Sequence, residues 1–495
     1  MNGNWIRERI GWEPYLRPFL FKKLPQGTGW MATLGNLSVL LFVLLFFTGI
    51  VLAMYYNPSP DKACQSIDYI MNEVPMGSIL RGLHHWGAGA MVLVVFVHLL
   101  ATFFSGSYKA PRELTWIVGV VLFLVTLGLG FTGYLLPWDM KAYWATVVSS
   151  SIVKSAPGIG DYMGRIMLGG ESVSGLTLTR FYAIHMLLLP ALLVILVVMH
   201  IYLVRVHGLA EHAEAKSAES EIGRPVQRFF PEHLFRSSIV FCVVLVILIG
   251  LSVFGTVPRE EMAGTIIDSY QPKPEWYYMW LFQLLTYFSG IWETIVSLIV
   301  PVVAIAVLFL VPFLGHPNIR SLADRPAAMA MGVTGVVCIV YLNLMGFASV
   351  RPYGETIPVP DRTLSAHEKR GLFVYVEREC AYCHQISGRG GNRVGPDLAN
   401  VASKGRTEDY LNRYVKNPQA VKSTSIMPKY DLSDKDLTAL SGIMLALDFS
   451  KYPMKIMKRE EVLKSISASQ SSTTENVQAH LPGGSATASE EAKDR

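Results

Sequence analysis

Apolar positions in this chain neither alternate nor recur at a short period. They gather into seven long blocks, at about 33–54, 79–104, 115–136, 180–204, 236–255, 291–314 and 326–348, with polar segments between them. A helix of about 20 apolar residues is long enough to cross a bilayer, so the pattern predicts seven transmembrane helices. An eighth apolar run, Tyr277 to Gly290, is too short to span and predicts an interfacial or re-entrant helix. The first 30 residues are polar and basic with no apolar core. They read as a surface segment, 1–32, and not as a cleavable signal peptide. A long polar connector at about 206–235 separates the fourth and fifth spans and divides the membrane part into 33–220 and 221–350. Residues 351–364 are rich in Pro and Thr and read as a linker. Residues 365–455 carry helical patterns at 410–416 and 434–447 and read as a small soluble α-helical domain. From 456 to 495 almost no large apolar residue remains, which predicts a disordered tail.

Composition sharpens this picture. Hydrophobic residues make up 51% of the chain and charged residues 16%, against about 25% charged in ordinary soluble proteins. The mean hydropathy is +0.35. The net charge of +5 is modest and gives no case for nucleic acid. With the N-terminus inside, the inner loops hold 14 Lys and Arg and the outer loops 6. The positive-inside rule then predicts a cytoplasmic N-terminus in the cell (inner) membrane, and seven crossings place the C-terminal domain on the outer, periplasmic side.

The candidate chemistry lies in histidines and cysteines. His84 and His98 are 14 residues apart on the second span, and His185 and His200 are 15 apart on the fourth. In a helix, 14 residues rise about 21 Å and return nearly to the same face. Two such helices can clamp two stacked haems, with His84 and His185 as the outer pair and His98 and His200 as the inner pair; imidazole suits iron. Packed, hydrogen-bonded histidines are the bland alternative, and the matched spacing on two helices counts against it. Gly35 and Gly49 on the first span, and Gly119 and Gly133 on the third, repeat the 14-residue interval, so each pair can line up with the two haem planes. Glycine permits close backbone approach. Arg81, one turn outside His84, is placed to pair with a haem propionate; Arg180 has the same option, or snorkels to the interface. His85 breaks the interval and is not taken as a ligand.

Of five cysteines, Cys242 and Cys338 fall within spans and Cys64 stands alone in an outer loop, so no disulfide framework is expected. Cys380-Ala381-Tyr382-Cys383-His384 is C-x-x-C-H, the attachment motif for haem c. Cys380 and Cys383 would bond the porphyrin and His384 would take one axial position. The order V-G-P-D-L then I-M-P-K-Y resembles small monohaem cytochromes c. Met427 is the candidate sixth ligand and Met444 the alternative; thioether ligation raises the potential.

The runs R-G-L-H-H-W, F-T-G-Y-L-L-P-W and T-L-T-R-F-Y-A-I-H resemble cytochrome b of the bc-type quinol oxidoreductases. The 15-residue interval and the phrases Y-K-A-P-R-E-L-T-W and G-G-E-S-V are more similar to the photosynthetic plastoquinol–plastocyanin reductases. This resemblance covers about residues 20–350. Here both halves are fused in one chain. It implies an all-α integral membrane protein with a four-helix di-haem bundle, two non-covalent b haems and one covalent haem c. It also implies quinol oxidation at an outer site. There Pro274-Glu275-Trp276-Tyr277 resembles the family motif, with Glu275 as proton acceptor, and Tyr134 with 137–145 forms the opposite wall. One electron would go to a separate Rieske iron–sulfur protein. The other would cross by the b haems to an inner quinone site near Arg205, whose role as quinone contact, propionate contact or interface anchor stays open. Proton translocation, a homodimeric complex, and an electron acceptor such as a cytochrome c follow from the same resemblance. Thr33 stands where the photosynthetic relatives carry the cysteine for an extra inner haem, so a covalent extra haem is not expected. The competing reading is a non-catalytic di-haem anchor that relays electrons between a dehydrogenase and the quinone pool.

Overall fold

The computed structural model describes residues 17–18, 20–25, 28–210, 228–263, 273–288, 291–317, 319–348, 356–378, 380–387, 395–422, 425, 427–447 and 453–464. Much of the expected N-terminal segment, most of the polar connector, and the tail from residue 465 lie outside these. The chain forms a helical unit up to residue 349 and a second unit from 350 onward.

In the first unit a 3-10 turn, Trp30–Thr33, leads into α1, Leu34–Ala53. Then come α2 (Ala63–Asn72), α3 (Gly77–Phe104), α4 (Glu113–Tyr134), α5 (Met140–Lys154), α6 (Gly160–Leu168), α7 (Gly175–Ala183) and α8 (Leu189–His207). The second half holds α9 (Leu234–Phe254), α10 (Trp276–Leu285), α11 (Ile291–Leu310) and α12 (Pro326–Ala348). Among the described residues, seven helical stretches are long and apolar enough to cross a membrane: Trp30–Ala53, Gly77–Phe104, Glu113–Tyr134, Gly175–His207, Phe229–Phe254, Thr294–Phe313 and Pro326–Ala348. They coincide with the seven sequence blocks. Between 0 and 28% of their residues are buried, so each presents most of an apolar surface outward, as a lipid-facing helix does. The ten-residue α10 does not span.

α7 and α8 form one continuous span, joined by a widened π turn at Ile184–Leu188. Pro190 follows at the start of α8; it has no amide hydrogen to offer the preceding turn, so the ladder loosens there. A π turn adds one residue to a helix without adding a turn. That extra residue is the difference between the 15-residue interval of His185–His200 and the 14 of His84–His98.

Packing is backbone-close where residues are small. A Cβ at Gly82 of α3 would lie 2.7 Å from the Ser252 side chain of α9. Leu37, Leu41, Met91 and Leu248 fill the seam between α1, α3 and α9. At one end of the unit cations satisfy carbonyls that helix ends leave without partners. Arg325 donates to Phe104 O at 2.6 Å, Lys109 to His316 O at 2.7 Å and Arg112 to Gly208 O at 2.9 Å.

The second unit contains β1 (Thr356–Pro360), α13 (Ala366–Glu377), α14 (Cys380–Cys383), α15 (Glu408–Lys416), α16 (Pro418–Val421), α17 (Asp434–Ala446) and β2 (Met454–Lys458). β1 and β2 pair antiparallel with Thr356 opposite Lys458. Residues read as linker (351–364) and as the first of the tail (from 456) therefore close on each other as a two-stranded clasp, and Ile357 and Val462 are buried in the core of this unit. Prolines at 358 and 360 masked the strand pattern, and a two-stranded ribbon can hold them because half its backbone groups face away from the ladder.

α13 crosses α17 with backbone nearly touching: a Cβ at Gly371 would lie 1.9 Å from the Ala439 carbonyl oxygen. Gly371→Ala should destabilise the second unit by about 2 kcal/mol or more through overpacking. For a unit of this size that is a fall in melting midpoint of about 10 °C, measurable by thermal unfolding.

Candidate functional site

The four span histidines and the four motif glycines meet pairwise. An added Cβ would lie 3.2 Å from His84 Cε1 at Gly49, 2.5 Å from His185 Cε1 at Gly133, 3.5 Å from His98 Cε1 at Gly35 and 3.3 Å from His200 Cε1 at Gly119. The glycines thus make room first for the imidazole rings themselves. His84 and His185 face each other across the bundle with ring centroids 6.3 Å apart at 74°. Two metal–imidazole bonds of about 2 Å each, plus the distance from each nitrogen to its ring centre, account for about 6 Å. The gap therefore fits one metal atom.

The tautomer of the outer pair follows from the hydroxyls behind it. Thr48 Oγ1 donates to Leu44 O at 2.8 Å, so toward His84 Nδ1, 3.0 Å away, it can only accept. Thr132 Oγ1 donates to Gly128 O at 2.8 Å and accepts from His185 Nδ1 at 3.1 Å. Both rings carry their proton on Nδ1, which leaves the Nε2 lone pairs for a metal. Such partners hold a ligand's orientation and tautomer. At the inner pair, Leu34 and Val118 occupy the corresponding positions. The two threonines were missed by sequence reasoning. A repeated Thr-Gly dipeptide, 48–49 and 132–133, was the available signal.

Around the Pro274–Tyr277 motif the structure gathers two walls. Glu275 is the N-cap of α10. Tyr277 sets its hydroxyl against Gly130 of α4, 2.9 Å from where a Cβ would stand, and Trp276 Nε1 lies 3.4 Å from the corresponding point at Gly89 of α3. Tyr278 donates to Leu127 O at 2.7 Å. Burial pushes the Tyr277 hydroxyl well above its ordinary range, so it stays a neutral donor. Opposite, Lys141 Nζ is 2.9 Å from Glu275 Oε1 and 5.4 Å from the centre of the Tyr134 ring. The turn 137–139 is held in place by Cys64 Sγ donating to Pro137 O, by Ala263 N donating to Trp138 O at 2.9 Å and by Asp139 capping α5 at Ala142 N. His85, set aside as a ligand, stands in the field of Glu275, Arg81 and Lys141. Lys141 was not singled out from the sequence, because nothing local marks it.

The arginines divide. Arg81 reaches Met71 Sδ and Pro258 O. Arg180 donates to Ile166 O at 2.6 Å, an anchoring contact. Arg205 lays its guanidinium 4.6 Å over the Phe229 ring, and Lys22 donates to its carbonyl.

In the second unit, α14 carries Cys380 and Cys383 with His384 directly after it. His384 Nδ1 is 2.8 Å from Pro396 O, so it donates there and Nε2 is left as an acceptor. Burial holds His384 below its ordinary range, in the neutral form that binds metal, and pushes the Cys383 thiol up to about 11. A Cβ at Gly395 would fall 2.4 Å from His384 Cε1, the same glycine-to-imidazole approach as in the membrane bundle. Met427 is only partly buried, its backbone held by Gln419 and by Ser425. Met444 is 5% exposed within the α17 core. The donor sets of both units fit haem: the facing His84 and His185 imidazoles, with Nε2 left as acceptor, in the first, and paired thiols beside an oriented histidine in the second.

These geometries give a graded expectation. Gly133→Ala forces a Cβ into the His185 ring and should remove one b-type band from the reduced spectrum, while Gly35→Ala, where the added contact is ordinary, should keep both.

Comparison with known proteins finds relatives for both units. The family described as Cytochrome b/b6/petB matches residues 22–208, Cytochrome b(C-terminal)/b6/petD matches 268–358, and Cytochrome c matches 369–447. The cytochrome bc complex cytochrome b subunit of Chlorobaculum thiosulfatiphilum is 34% identical over 358 residues, covering 71% of this chain and 80% of that one. The menaquinol:cytochrome c reductase cytochrome b subunit of Bacillus subtilis is 42% identical over 215 residues, 42% of this chain and 96% of its own. Among solved structures, a chain of a hyperthermophilic respiratory Complex III superposes with a TM-score of 0.63 at 27% identity, covering 70% of this chain and 91% of that one.

Proposed function

From the premise that this chain belongs to the cytochrome b family of bc-type quinol:cytochrome c reductase complexes, with a cytochrome c domain joined behind it, we propose that it oxidises quinol between α10 and the α4–α5 turn. The observation that carries this reading is the seat of Glu275. Its carboxylate sits at the N-terminus of α10, flanked by Trp276 and Tyr277, with Lys141 and Tyr134 across the slot. Aromatic rings on two sides suit a flat, apolar ring. A carboxylate at its edge can accept the proton of a quinol hydroxyl. The Tyr277 hydroxyl can orient the ring.

His84 and His185 on the outer side, and His98 and His200 on the inner side, would hold two b haems, and Cys380, Cys383 and His384 a covalent haem c, with Met427 as the further axial ligand. Bound haem supplies one-electron carriage, which side chains alone lack. The chain's own work is to hold the imidazoles in the ligating tautomer, to exclude water from the slot and to move the quinol proton outward. A separate Rieske protein takes the first electron. Arg205 and Phe229 flank the inner quinone site, and the net effect is proton translocation. The N-terminus is cytoplasmic, the cytochrome c domain faces the outer side and passes electrons to a cytochrome c-type acceptor, and the complex is a homodimer. A membrane anchor would have no use for a proton acceptor at the Glu275 position.

Glu275→Gln should slow quinol oxidation about a hundredfold, within the range of a lost general base, with the haem spectra intact. Unchanged turnover would refute the assignment, and a purified complex without a Rieske protein would move weight to the anchor reading. Met427→His should lower the midpoint potential of the c-type band, since thioether ligation raises it, whereas Met444→Leu should leave that potential in place. Redox titration distinguishes the two.

A further inference from the structure

Lys141 has no evident structural reason to be where it is. It lies in the first turn of α5, a helix N-terminus, where the backbone already presents positive charge and a cation is disfavoured. The cations at the inner loops have carbonyls to satisfy. Lys141 has instead the carboxylate of Glu275, at 2.9 Å, and beneath it the Tyr134 ring. The two charged side chains are only 21% and 20% exposed, so their attraction is far less screened than at an open surface.

We infer that Lys141 is the positioning residue of quinol oxidation: its ammonium holds the Glu275 carboxylate turned into the slot, and its hold weakens once the proton has arrived. This rests on the reading of Glu275 as proton acceptor. When the quinol O–H bond breaks and a new O–H bond forms on Glu275, the ammonium keeps its three protons and loses its anion. The neutral carboxyl is then free to turn and release its proton to water, after which the pair closes again. Other charged or titratable groups face the same pair. From α3 these are His85 and Arg81, from the turn before α5 Asp139, and from α10 itself Tyr277. They remain in place in the variants below, so the change read out belongs to Lys141.

The test is the pH profile of quinol oxidation in the intact complex, for Lys141→Met, Lys141→Arg, Glu275→Gln and the double variant Lys141→Met/Glu275→Gln. Without the cation to seat the carboxylate, kcat of Lys141→Met should fall about tenfold across the profile, as expected for a misplaced catalytic group, with KM unchanged. Lys141→Arg, which keeps the charge, should restore the parental profile. The double variant should be no slower than Glu275→Gln alone, since two residues acting as one unit are not additive. A Lys141→Met profile that superposes on the parent, a Lys141→Arg enzyme as impaired as Lys141→Met, or a double variant slowed by the product of the single effects would each overturn the inference. If Glu275→Gln is itself without effect, the proton-acceptor reading fails and takes this inference with it. If Glu275→Gln is slow and Lys141→Met is not, this inference alone fails. Should Lys141→Met lose its b haems, Lys141→Gln carries the same measurement; loss in both would assign Lys141 to folding and overturn its role.

Discussion

The imidazole of His185 fills the space that any side chain on Gly133 would need, and the other three glycine–histidine pairs repeat the arrangement with looser contacts. Helices in lipid gain little from burying apolar surface against each other, because lipid tails are equally apolar. They associate through small residues and polar contacts. Here the small residue and the polar ring are two halves of one contact. α1 meets α3, and α4 meets α8, by backbone against imidazole. Each outer ring is pinned from behind, through Nδ1, by a threonine whose own proton is already committed to its helix. Nε2 can then only face inward. Closing the bundle and bringing the outer imidazoles face to face are the same event.

That constraint explains an irregularity that would otherwise look like a defect. In a uniform helix, 15 residues overshoot four turns by about 60°, while 14 fall about 40° short. His185 and His200 reach the same side of their span because the π turn at Ile184–Leu188 takes up the additional residue. The turn sits at His185 itself and is followed by Pro190, whose missing amide leaves the widened ladder less to lose. A kink of this kind is tolerated where neighbouring helices and internal bonds re-satisfy the backbone.

Much of this could be read along the chain, and the reason is periodic. Span lengths, the repeated interval of His and Gly, and C-x-x-C-H are all properties of one strand of sequence, and helical geometry converts them directly into position. What could not be read lies in contacts between segments far apart. Lys141 and Glu275 are 134 residues apart and become partners only when α10 lies across α4. Thr48 and Thr132 look like ordinary membrane hydroxyls until the rings beside them are placed. The clasp of β1 on β2 joins segments about a hundred residues apart, one rich in proline and the other bordering a polar tail, and neither shows a strand pattern alone. Arg180, read as a partner for a propionate or as a residue that snorkels to the interface, bonds the carbonyl of Ile166, a contact across 14 residues that the sequence did not reveal.

Cations in this chain do two different jobs, and the distinction bears on how loop charge is interpreted. Lys109, Arg112, Arg320 and Arg325 are the Lys and Arg residues of segments 106–114 and 315–325, and each donates to a helix-end or loop carbonyl of a neighbouring segment. Part of the charge bias along the sequence is therefore structural necessity at helix C-termini, where cations are favoured by the backbone dipoles. Lys141 sits at the opposite kind of helix end and gains nothing from the helix. Its anion is the carboxylate at the N-terminus of α10, between the aromatic rings. Removing one member of a water-poor ion pair leaves the other charge without compensation, so neither residue can be understood apart from the other. A carboxylate that must alternate between charged and neutral needs a partner whose hold weakens with the charge, and the charge-assisted hydrogen bond from the Lys141 ammonium to Glu275 meets that requirement.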